Sequence, residues 1–211
     1  MPKVFASITE LESLKGGNKE LYVITLSTDG RGEDKHESDI VSAHNERITR
    51  IAPEIVELDA LKWMIASVSN IFERVKPGSP ALILGDGIIL YPELDPKGLL
   101  GMHVAVMESD SGHRELGLRL KKVLESSEVK GVVKQLTGSG APTAELVGDL
   151  MRTVTDAFLA KNKDDVLLTF GYSGRESTNY GIGIDIDPTR PVKDFPFQND
   201  LIKGNLRVML V

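Results

Sequence analysis

The chain has 211 residues, of which 41% are hydrophobic and 27% charged, a balance that fits a globular protein long enough to bury a core. Its formal net charge of −6 argues against a nucleic-acid footprint, and against attraction to anionic lipid unless bound cations reverse the local sign. The absence of cysteine excludes disulfides, a thiolate nucleophile and Cys-ligated zinc.

The opening MPKVFASITELESLKGG lacks the apolar stretch of a signal peptide, and no run is apolar enough to span a membrane. The expected compartment is the cytoplasm, with export by a non-classical route left open. Val4–Leu11 and Glu20–Ser27 carry β-branched and aromatic residues on either side of Gly16-Gly17-Asn18, which predicts a hairpin. The polar run Thr28–Ser38 reads as a loop, and Asp39–Ser42 and Glu46–Ile51 as short strands before Pro53. In Leu58–Val75 the apolar residues Leu58, Leu61, Ile65, Val68, Phe72 and Val75 recur at spacings of three and four. That period favours an amphipathic helix, although Ser67, Ser69, Asn70 and Ile71 are weak helix formers and two strands are the alternative.

Ala81–Gly85 and Ile88–Tyr91 flank Asp86-Gly87, a hairpin signal. Leu99–Met107 follows, apolar on both faces, as befits a strand inside the protein. Three helices are predicted next: about Gly112–Ser126 with Leu116, Leu120, Val123 and Leu124 as its stripe, a short one through Val129–Leu136, and one from Pro142 to about Lys161. Asp165–Tyr172, Asn179–Asp187 and Asn205–Val211 return to strand. The stretch DPTRPVKDFPF, with its three prolines, must be an ordered loop or an edge. The expected fold is α+β: a single domain over residues 1–211, an antiparallel β-sandwich with a three-helix insertion at 112–161.

The acidic loops carry a family resemblance. Leu21–Leu26, the polar loop and Ser38-Asp39-Ile40-Val41 resemble the opening of a C2 domain, where a strand runs into a calcium-binding loop. Met102–Asp110, MHVAVMESD, resembles that family's later strand and Asp-x-Asp loop, with Glu108 in place of the first aspartate. Asp164-Asp165-Val166-Leu167 is similar to the acidic pair that follows. The resemblance implies a C2-like sandwich and a calcium site held by Asp34, Asp39, Glu108, Asp110 and Asp165, with calcium as the only cofactor. Calcium takes six to eight oxygens, which loops at one end of a sandwich can supply. The plainer reading of the same residues is solvated loop acids, with Asp110 capping a helix.

Glu108, Asp110 and His113 form a second constellation, able in principle to hold a zinc-like ion around an activated water, as in a metal-assisted hydrolase. His103 reads as a hydrogen-bonded core histidine, and His36 and His44 as surface. Gly171-Tyr172-Ser173-Gly174 lacks the spacing and the following helix of a nucleophile elbow. The expectation is therefore a non-enzymatic, C2-like binding module, calcium-linked if the acidic site forms. It presents loops or helices to a protein partner or a membrane, not to nucleic acid. The alternatives are the hydrolase and a structural subunit self-assembling through a sheet edge, with Asn205–Val211 as the candidate edge.

Overall fold

The structure is a computed structural model that describes residues 2–29, 54–56, 64–69, 72–81, 83, 85–109, 122–131, 149–150, 152–157, 165–183 and 191–211. Its strands are β1 (Val4–Ser13), β2 (Lys19–Asp29), β3 (Glu54–Val56), β4 (Met64–Val68), β5 (Phe72–Val75), β6 (Ile88–Leu94), β7 (Leu99–Glu108), β8 (Asp165–Arg175), β9 (Val192–Gln198) and β10 (Ile202–Leu210). The first sheet runs β6-β1-β10-β9 and the second β3-β4-β2-β7-β8, with β5 also paired to β2. Every pairing is antiparallel.

The period-2 pattern of each strand explains the stacking. Val4, Ile8, Leu206 and Val208 of the first sheet share one core with Leu21, Val23, Leu100, Met102 and Val104 of the second. The two sheets thus face one another as in a sandwich. The other face of the second sheet is buried as well: Tyr22, Ile24, Leu26, Ala66, Val68, Ala105 and Met107 are all at most 1% exposed. Helical residues are described at 122–124, 127–131, 149–150 and 152–157. Their buried Val123, Leu124, Val129, Leu150 and Val154 are not part of the inter-sheet core.

Several expectations are corrected. β1 and β2 are strands but not a hairpin: each is buried along its length and needs neighbours on both sides, so each sits inside its own sheet. The second half of Leu58–Val75 is not helix but β4 and β5, both paired to β2. Ser69 shows why the sheet wins. Its N–H donates to the Val23 carbonyl at 2.8 Å and its hydroxyl accepts the Val23 N–H at 2.9 Å. The three-and-four spacing was coincident with burial on a sheet.

Among the described residues no hairpin forms at Asp86-Gly87, and β6 pairs with β1. Gly85 (φ 65°) and Gly87 (φ 97°) take the left-handed backbone. Gly87 presses so closely on β1 that a β-carbon there would lie 2.4 Å from the Ile8 carbonyl oxygen. Residues 179–183 of the predicted strand Asn179–Asp187 instead belong to a 3₁₀ segment, Glu176–Gly181, and the turn after it. Asn179, Tyr180 and Gly181 have φ of 47°, 52° and 80°, which no strand accommodates. Asn205–Val211 forms most of β10, an interior strand between β1 and β9, and so is not an edge. The proline-rich stretch does supply an edge, β9.

Candidate functional site: the β8 edge

A sheet edge presents unpaired backbone N–H and C=O groups, and proteins usually blunt such edges with proline, charge or brevity. Among the described residues, four of the end strands do so. β6 carries Pro92, β9 carries Lys193, Asp194 and Pro196, and β3 and β5 are three and four residues long. The fifth, β8, does not. It is eleven residues long, DVLLTFGYSGR, with no proline and no charge between Asp165 and Arg175. Among the described residues β8 pairs with β7 alone.

The phase of the ladder shows which groups of β8 face outward. The Glu176 N–H donates to the Gly98 carbonyl at 3.0 Å. The register continues from Leu99 opposite Arg175 to Val106 opposite Leu168. Hydrogen-bonded and non-bonded pairs alternate in an antiparallel ladder. The even residues Leu168, Phe170, Tyr172 and Gly174 therefore bond to β7, and the amides of Thr169, Gly171, Ser173 and Arg175 point away from it. All four of these odd residues are exposed. Leu167 is an irregularity in the register, and its carbonyl accepts the Asn199 side-chain amide at 2.7 Å, which closes the free stretch at that end.

The inner face of β8 is held firmly. Phe170 stacks on Phe197 of β9 with ring centroids 4.4 Å apart, and Tyr172 meets Phe195 edge-on at 5.1 Å. Burial pushes the Tyr172 hydroxyl up to about 12, and that hydroxyl donates to the Tyr180 carbonyl. Tyr180 in turn accepts the Gly98 N–H at 3.3 Å on its own hydroxyl. These ties brace the left-handed Asn179–Tyr180 backbone against β8. Gly174 permits the approach, since a β-carbon there would fall 2.7 Å from the Tyr180 carbonyl oxygen. The result is a firmly held strand whose far edge no other described strand covers.

Of the residues expected to hold calcium, Asp34, Asp39 and Asp110 lie outside the described residues, as do His36, His44 and His113. The structure brings Glu108 and Asp165 directly opposite each other across β7 and β8. The Glu108 carboxylate is paired with Lys19 across the end of the core, with the two side chains 19% and 12% exposed. β2 and β7 are antiparallel, so the chain leaves β2 after Asp29 and β7 after Glu108 at opposite ends of the second sheet. For Asp34 or Asp39 to join Glu108, the intervening chain would have to return along eight residues of β2, about 26 Å at strand rise. No group of three or more acidic or histidine side chains able to hold a metal occurs among the described residues. His103 is half-buried on the outer face of β7, against Gly171 of β8, and not in the inter-sheet core.

Sequence reasoning missed the β8 edge. The available signal was a nine-residue uncharged run bounded by opposite charges, which reads equally well as an interior strand. Compared with known proteins, the chain matches no family model, no curated protein and no solved structure. No helix among the described residues is long and apolar enough to cross a membrane, which leaves strand-built spans unaddressed.

Proposed function

We propose that the protein is a non-enzymatic binding module that takes an extended segment of a protein partner along β8. One observation carries the reading: among the described residues, β8 is a long, uncharged, proline-free edge while the other end strands are blunted. Strand addition at such an edge draws affinity from main-chain hydrogen bonds and specificity from alternate side chains. The outward amides of Thr169, Gly171 and Ser173 are the donors, and the exposed outer face around His103 and Gly171 receives every second partner side chain. The C2-like character belongs to this reading as a framework of two antiparallel sheets, in a protein of the cytoplasm.

Selection from displayed extended peptides tests it. Binders should show alternating apolar residues and lose binding in Ser173→Pro, which removes one outward N–H without touching the bonds to β7. Binders indifferent to Ser173→Pro, with the variant folded, would refute it.

A calcium-linked form of the module rests on the Glu108–Asp165 juxtaposition. Calorimetric titration of chelator-stripped protein with calcium tests that form, and a heat that Asp165→Asn abolishes is its signature.

A further inference from the structure

We infer that the segment taken along β8 carries an aromatic side chain opposite Gly171, so that Gly171 and His103 set which partner is taken. The inference rests on the edge reading above and adds the chemistry of the occupant.

A row of residues crosses the outer face of the second sheet: Leu26 of β2, His103 of β7 and Gly171 of β8, each directly opposite the next. Burial falls along the row, from Leu26 at 0% exposure through the half-buried His103 to the exposed Gly171. Glycine has no side chain, so exposure at Gly171 is exposure of the main chain itself. Its amide is also one of those turned away from β7. The row thus ends on bare backbone, between the exposed Thr169 and Ser173.

The His103 ring leans into the space that Gly171 leaves. A β-carbon at position 171 would lie 3.0 Å from the imidazole Cε1 and 3.3 Å from Nδ1. In an antiparallel strand added to β8, the residue opposite Gly171 exchanges both main-chain bonds with it and sets its side chain on the same outer face. That side chain is the next member of the row. It starts about 10 Å from β7, two strand spacings away, with only a glycine between. A flat aromatic ring reaches across the glycine, shields its backbone from water and meets the edge of the imidazole. The strand itself gives a charged group nothing to pair with, since Val166–Gly174 carries no charge.

Selection from displayed extended peptides, followed by fluorescence anisotropy on the selected peptides, tests the inference. Peptides that lose binding in Ser173→Pro should share an aromatic residue at one fixed position. Replacing that residue by alanine should weaken binding to the unmodified protein about three- to tenfold. In Gly171→Thr the same replacement should leave binding about unchanged, because the new side chain takes the place of the ring. His103→Ala should shrink the aromatic advantage as well, and it decides the matter if Gly171→Thr fails to fold by circular dichroism. Peptides sensitive to Ser173→Pro that share no aromatic, or that carry an acidic residue in its place facing His103, would overturn the inference and leave the edge reading standing. An aromatic advantage undiminished in the folded variants would do the same. If no peptide is selected, or none is sensitive to Ser173→Pro, the inference and the edge reading fall together.

Discussion

The Tyr91 hydroxyl donates to the Asp29 carboxylate at 2.7 Å, from β6 of one sheet to β2 of the other, with both residues at most 3% exposed. Beside it, the Ser27 hydroxyl donates to the Leu90 carbonyl at 2.9 Å. The inner face of β2 therefore changes character along its length, from Leu21 and Val23 to Thr25, Ser27 and Asp29. At the polar end the sheets are joined by directed bonds, which fix their mutual register as apolar packing alone does not.

Tyr91→Phe keeps the ring and removes one donor from a buried carboxylate. The expected loss is roughly 1–3 kcal/mol. In a chain of 211 residues this lowers the melting temperature by about 2–4 °C per kcal/mol, read by calorimetry. An unchanged melting temperature would mean that the bond across the sheets contributes nothing.

At the other end of β2, Lys19 neutralises Glu108 where the core closes. Lys19→Met leaves that carboxylate largely shielded from water without its cation, at an expected cost of roughly 1–3 kcal/mol. Adding Glu108→Gln to the same chain should recover part of the loss, because the orphaned charge is gone. Denaturant melts of the single and double variants form the cycle. A double variant no more stable than Lys19→Met alone would show that the two residues do not act as a pair.

The Tyr172 hydroxyl gives an alkaline signature. Its folded value is pushed up to about 12 by burial. The unfolded value is about 10, so between the two the folded chain holds this proton more tightly than the unfolded one. Stability from this group is intact below about pH 10 and falls as the pH rises toward about 12. Tyr172→Phe should flatten that part of the stability profile and remove one late-ionising tyrosine from an ultraviolet titration. A profile identical to the parent's would contradict the assignment.

The strands were legible where their own residues decide them. β1, β2, β7, β8 and β10 follow from apolar runs such as Leu99–Met107, and the three prolines of DPTRPVKDFPF left only a loop or an edge, of which β9 is the edge. Pairing was not legible, because it depends on what a buried strand finds on both sides. Val4–Leu11 and Glu20–Ser27 are consecutive and close in sequence, yet each is wanted in the middle of a different sheet. Leu58–Val75 failed for a related reason, since Ser69 exchanges hydrogen bonds with Val23 across 46 residues and no local period encodes that. Of the expected acidic site, the sequence patches gave Glu108 and Asp165, which the β7–β8 register sets opposite each other. Lys19, which takes up the Glu108 charge, stood 89 residues away and carried no signal of that role.

The edge of β8 is tested most directly by amide hydrogen exchange, residue by residue, on the protein at low concentration. The amides of Phe170, Tyr172 and Gly174, bonded to β7, should exchange slowly, while those of Thr169, Gly171 and Ser173 exchange near the rates of unstructured chain. Equal protection of both sets in the dilute protein would mean that the edge is already covered, and would contradict the account.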